Sequence, residues 1–294
     1  MTIFDIPIQV LLGQITIGLV NGSFYAILSL GLALIFGLLN IINFAHGALY
    51  MLGAFGVYLA AQKLGIGYWW SLLLVPVAVG AFGALIERLW LRRLAGLDHL
   101  YGLLFTFGLA LVLEGIFRDL YGSAGLPYPT PPQLRGLIDL GFMRLPIYRL
   151  WIVGASLFVC LATWFLIERT RLGSYLRAGT ENAPLVQALG INVPLLVTCV
   201  YALGAALAAF AGVLAAPIYQ VQPLMGSNIL IVTFAVVVIG GLGSTAGAIA
   251  TGLALGVIEG LSKVFYPEIS STVVFIVMAI VLLIRPAGLF GRDA

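Results

Sequence analysis

The chain is patterned in long apolar runs rather than in short alternating stretches. No Asp, Glu, Lys or Arg occurs between Asp5 and Lys63, and none between Glu181 and Glu259. A membrane-spanning helix takes about 20 apolar residues, so each run holds two or three spans. Continuous rather than alternating apolarity argues against a transmembrane barrel. The pattern predicts helices over 9–37, 46–62, 70–91, 100–120, 148–168, 194–217, 228–243, 245–262 and 270–285. Segment 9–37 is interrupted by Val20-Asn21-Gly22-Ser23 and reads as a broken helix or two short ones. The pair within 228–262 is divided only by Gly240, Gly241 and Gly243, which leaves room for a re-entrant piece. The expected fold is an all-α polytopic membrane protein, a single domain over 1–294. It would bundle about eight to ten transmembrane helices with broken or re-entrant segments.

Composition turns this pattern into a constraint. Hydrophobic residues make up 62% of the chain and charged residues 9%, with mean hydropathy +1.14. A soluble domain carries roughly 25% charged residues, so this chain has no means of covering itself with a solvated surface. Met1 to Pro7 contains no Lys or Arg and lacks the basic start of a secretory signal, so the first apolar segment is expected to stay. Cys160 and Cys199 fall in apolar spans, where both are expected as buried thiols without disulfide or metal spacing. A net charge of +3 gives no reason to invoke nucleic acid.

The basic residues set an orientation. Arg88, Arg92 and Arg93 flank one loop, Arg169, Arg171 and Arg177 begin another, and Arg285 and Arg292 close the chain. The positive-inside rule places all three in the cytoplasm, with the C-terminus, and puts the N-terminus outside. The connection from about 121 to 147, which carries Pro127, Pro129, Pro131, Pro132 and Pro146, is then an ordered external loop. Lys63 and Lys263 fall outside on this reading, which weakens the bias without reversing it.

Small residues recur at four-residue steps in Gly204, Ala208, Gly212 and Ala216, and again in Gly252, Gly256 and Gly260. In lipid, helices associate by close backbone approach along such seams. Catalytic chemistry is sparse. There is no phosphate-binding G-x-x-x-x-G-K-[ST] and no H-E-x-x-H, and the two histidines, His46 and His99, lie far apart. An intramembrane enzyme needs convergent acid, base and metal-ligand groups, which His46 alone does not supply. Glu114 with Arg118 and Glu259 with Lys263 have the favoured i,i+4 order of a helical ion pair, and paired charges are expected rather than a proton relay.

Two polar islands stand out. Residues 39–55 read LNIINFAHGALYMLGAF, and on a helix Asn40, Asn43 and His46 would share one face. Such groups are costly in lipid, so they either satisfy backbone freed at a helix break or line a solute path there. Residues 169–194 read RTRLGSYLRAGTENAPLVQALGINVP. Ala183, Leu185, Val186 and Leu189 can form the apolar strip of one short amphipathic helix, with Gly190 placed to end it. Such a helix lies in the headgroups or docks into a groove of another protein.

These strings carry a resemblance. RAGTENAPLVQALGI resembles the cytoplasmic coupling loop of branched-chain amino acid importer permeases of the ATP-binding-cassette class. GLLNIINFAHGALYMLGAF and VVVIGGLGSTAGAIATG resemble two further landmarks of that family, in the same order. Length and the early INFAHG string look like the first of its two permease types. The resemblance implies a multi-pass permease of a bacterial or archaeal inner membrane, working by alternating access. Its partners would be a second homologous permease, two cytoplasmic ATPase subunits and an external solute-binding protein. The chain itself would hold no cofactor, with ATP and magnesium in the ATPase subunits. Carried over by position, Arg177, Glu181, Asn182 and Gly190 fall in the ATPase-coupling segment, and Glu181-Asn182-Ala183 departs from the Glu-Ala-Ala start of more distant importers. The substrates implied are leucine, isoleucine and valine, with urea or short amides as the alternative. A secondary transporter without an ATPase explains the broken spans equally well, but leaves 169–193 without a purpose.

Overall fold

The computed structural model describes residues 2–3, 6–39, 42–94 and 96–291. The described chain is mostly helical, with two short antiparallel strand pairs. Strands β1 (Thr2–Ile3) and β2 (Ile6–Pro7) precede helix α1, Ile8–Leu39. Helices α2 (Ala45–Leu64) and α3 (Tyr68–Ile86) follow, and α3 continues through a π turn, Glu87–Leu91, into the short α4, Arg92–Leu94. After α5 (His99–Tyr121) come strands β3 (Leu137–Asp139) and β4 (Arg144–Pro146), then α6 (Ile147–Arg169). The remaining helices are α7 (Arg171–Glu181), α8 (Ala183–Ala188), α9 (Val193–Ala215), α10 (Met225–Gly240), α11 (Thr245–Phe265) and α12 (Val273–Ile284).

Six helical stretches are long and apolar enough to cross a membrane: α1, α3 with its extension, α5, α6, α9 and α11. Helices α10 and α12 are shorter apolar helices, and α2 is largely buried. The fold is thus the expected all-α polytopic bundle. Its outer surface is apolar, with Val77, Leu104, Phe158, Leu161 and Leu283 exposed, as a bilayer neighbour demands.

Helix α1 runs unbroken through Val20-Asn21-Gly22-Ser23, against the expectation of a break. The Ser23 hydroxyl donates to the Leu19 carbonyl within the same helix at 2.8 Å. Gly22 is required for a different purpose: a methyl there would lie 3.0 Å from the Gly252 carbonyl oxygen of α11. The two helices pack backbone against backbone, Gly252 on Ala26, Gly256 on Gly22 and Gly260 on Gly18. Gly204 of α9 meets Gly31 of α1 in the same way, and Gly212 meets Tyr50 of α2. These close approaches are the glue that apolar side chains do not supply in lipid.

The helix ends gather on two faces. On one, Arg92 donates to the Pro194 carbonyl at 2.8 Å, Thr245 to Glu168 at 3.2 Å, and the Leu289 amide to the Ile239 carbonyl at 2.8 Å. This basic face brings together the described arginines of all three basic segments. On the opposite face Trp151 donates to Tyr68 at 3.3 Å, Tyr68 to Tyr148 at 3.0 Å, and Tyr148 to the Leu214 carbonyl at 2.9 Å. That chain locks the starts of α3 and α6 to the end of α9 under the β3–β4 hairpin. The loop carrying the five prolines is ordered here, bridged to residues after α9 through Leu126 and Val221.

Candidate functional site

Helix α2 does not start at a membrane face. It runs parallel to α9, and Asn43, just ahead of it, reaches Tyr201, two turns inside α9. Asn40 lies outside the described residues. Asn43 sits in the non-helical connection and His46 is the second residue of α2, so these two do not share a helical face as the spacing suggested. Asn43 instead works as an Asx turn. Its Oδ1 accepts from the Ala45 amide at 3.1 Å while its Nδ2 donates to the Tyr201 hydroxyl at 3.1 Å. His46 is 0% exposed, and its Nε2 donates to the Leu28 carbonyl of α1 at 3.0 Å. A carbonyl only accepts, so the imidazole carries its proton on Nε2, and Nδ1 is left without a partner among the described residues. The ring presses on Gly31, where a methyl would lie 3.0 Å from its Cε1.

The start of α10 meets this break. Gly47 and Gly226 touch through their backbones, so the N-termini of two helices abut inside the bundle. Ser227 donates to Glu114 of α5, which is buried and accepts no charge from Arg118; the expected i,i+4 pair does not form. The reason is burial: Glu114 is buried against the positive end of α10, whereas Arg118 on the next turn of α5 is exposed. Glu259 and Lys263 do pair, at 2.7 Å, and Glu259 also accepts from Tyr25 at 2.7 Å.

Residues 171–188 form two helices rather than one. Asn182 breaks them, and its Oδ1 accepts from the Leu185 amide at 3.0 Å to cap α8. Of the expected apolar strip only Val186 is buried; Leu185 and Leu189 are exposed by 57% and 74%. Gly190 ends the element with φ +85°, a left-handed conformation that side chains resist. Glu181 is exposed. Arg177 reaches Glu168 of α6 at 3.3 Å, and the other oxygen of Glu168 accepts from Thr245 of α11. A cleft of about 720 Å³ lies beside this link, lined by Gly37, Ile167, Glu168, Arg177, Thr245 and Phe290 among others.

A second cavity, of about 220 Å³, opens between α1, α2, α10 and the segment before α10. Tyr25, Tyr50, Tyr219 and Asn228 contribute polar groups, and Phe24 and Ile229 apolar ones.

A profile of the family described as branched-chain amino acid transport system / permease component matches residues 14–282. The chain belongs to this permease family. It is 31% identical to the high-affinity branched-chain amino acid transport system permease protein LivH of Escherichia coli strain K12, over 96% of each chain. It is 32% identical to the corresponding BraD protein of Pseudomonas aeruginosa, again over 96% of each. The ribose import permease protein RbsC of Escherichia coli is 34% identical over 46% of this chain and 42% of its own. No solved structure matches the chain.

The permease therefore is a multi-pass membrane transport subunit. Of the residues singled out in its sequence, the structure brings Asn43 and His46 together at the α2 break. Arg177 and Glu181 lie on α7, and Asn182 and Gly190 in the turns that flank α8. Two features escaped the sequence reading. Gly47 and Gly226 lie 179 residues apart, and no local signal in the sequence pairs them. Cys199 is exposed at the bundle surface rather than buried, because its side of α9 meets no other helix.

Proposed function

We propose that this chain is the transmembrane permease of an ATP-driven importer of leucine, isoleucine and valine. It would work beside a second, homologous permease, two ATPase subunits that hold ATP and magnesium, and an external solute-binding protein. One observation carries the reading. The paired helices α7 and α8 present Leu185 and Leu189 to the outside on the basic face, while Arg177 ties them to α6 and, through Glu168, to α11. The positive-inside rule supports a cytoplasmic position for that face. An ATPase groove that takes these leucines would pull on two membrane helices at once.

ATP binding closes the ATPase pair, and the coupling helices follow. Differential contact in the two states is what shifts the permease between outward- and inward-open forms. The cleft beside Arg177 gives α7 room to move against α1 and the α10–α11 turn. Asn43 and His46 act in this reading as positioning residues, holding the start of α2 inside the bundle rather than touching solute.

The test is uptake of radiolabelled leucine, isoleucine and valine by proteoliposomes holding the complete transporter with ATP inside. Uptake of at least one is expected. Robust uptake of urea or a short amide with none of the three would overturn the substrate while keeping the permease assignment.

A further inference from the structure

Tyr50 is 2% exposed, yet its hydroxyl has no hydrogen-bond partner among the described residues, and it lines the small cavity between α1, α2 and α10. The hydroxyl faces the cavity with its donor and both acceptor sites uncommitted, so it can bond to what enters. The other walls are sorted by chemistry. Tyr25 lines the cavity and donates to Glu259, whose other oxygen is held by Lys263. Tyr219 lines it and donates to Asn21 at 3.2 Å. Asn228, exposed on the first turn of α10, has no side-chain partner among the described residues. Phe24, Ile229 and Val232 form an apolar wall.

We infer that this cavity is a contact site for an α-amino acid with an aliphatic side chain during its passage through the permease, an inference that rests on the import reading above. Pockets for drug-sized ligands run to about 300–1,000 Å³, so a cavity of about 220 Å³ takes only a small solute. The hydroxyl of Tyr50 both donates and accepts, and with the Asn228 amide it serves the two ends of a zwitterion. The aliphatic chain lies on Phe24, Ile229 and Val232. The site adjoins the interrupted helix starts at Gly47 and Gly226, the arrangement by which transporters expose polar groups at mid-membrane depth.

Uptake of radiolabelled leucine by the complete transporter is compared for the native chain, Tyr50→Phe, Asn228→Ala and Leu283→Ala. Leu283 lies on the outer side of α12, 85% exposed, and serves as the control. Tyr50→Phe keeps the ring and removes only the hydroxyl, so about a tenfold rise in KM or fall in Vmax is expected. Asn228→Ala moves the same way, and Leu283→Ala matches the native chain. Native kinetics in both cavity variants would overturn the site. Should Tyr50→Phe fail to assemble, Asn228→Cys in a Cys199→Ser background decides. Saturating leucine slows its modification by 2-aminoethyl methanethiosulfonate several-fold if the cavity is occupied, and an unchanged rate overturns the inference. A native transporter that moves none of leucine, isoleucine or valine overturns the import reading itself, a result distinct from these.

Discussion

Gly47 of α2 and Gly226 of α10 meet backbone to backbone inside the bundle, where a methyl on Gly47 would lie 2.6 Å from the Gly226 carbonyl oxygen. Two interrupted segments are held together at their first turns by this contact. One helix leaves toward the hairpin face and the other toward the basic face.

Gly47→Ala or Gly226→Ala therefore drives two helix starts apart. Overpacking of this kind costs about 1–3 kcal/mol, and the close partners are backbone atoms that have no rotamer to escape into. The expected outcome is a lower unfolding midpoint in detergent by fluorescence-detected chromatography. Gly154→Ala on α6, where an added methyl meets nothing within 4 Å, should leave the midpoint unchanged.

His46 holds α2 to α1 through the Leu28 carbonyl. His46→Ala removes the donor that ties α2 to the Leu28 carbonyl and opens a void beside Gly31, a cost of about 1–3 kcal/mol. The membrane level and thermal midpoint of the permease should fall. The leucine KM of the fraction that assembles should stay close to native. A normal midpoint with a large KM change would instead place His46 on the solute path.

Gly190 has φ +85° after α8, and Leu189 beside it is exposed. Gly190→Val forces a β-branched residue into a left-handed conformation, at about 1–2 kcal/mol, and misplaces the end of the coupling segment. Leu189→Asp or Glu181→Lys alters the presented surface without backbone strain. All three should insert normally yet lose solute-stimulated ATP hydrolysis and uptake together. Native stimulation in all of them would remove the coupling role from this segment.

Arg177 and Glu168 form a half-exposed ion pair, worth no more than about 1 kcal/mol to stability. Arg177→Ala should thus leave the thermal midpoint nearly unmoved. Its effect should fall on the yield of transport, with fewer leucine molecules imported per ATP hydrolysed. Thr245→Val, which cuts the next hydrogen bond to Glu168, should act in the same direction and add little to Arg177→Ala.

The sequence by itself determined the solvent. With 9% charged residues and runs free of charge for more than fifty positions, only a lipid-embedded helical bundle satisfies the backbone. Most helix positions were legible for the same reason, since apolar length is read directly from the chain. The four-residue glycine steps at Gly252, Gly256 and Gly260 likewise announced a tight crossing. Their partner was not legible, because Gly18 and Gly22 on α1 sit in a helix whose polar interruption looked like a break. Tertiary contact decided otherwise: Gly22 is spent on the α11 backbone, and Ser23 bonds within its own helix. Glu114 shows the same limit. Local spacing offered it Arg118, but burial against the positive end of α10 gave it Ser227. Periodicity states which groups a helix can offer its neighbours. Which neighbour arrives is fixed by long-range packing, and that packing placed the unpaired Tyr50 hydroxyl on the wall of a cavity.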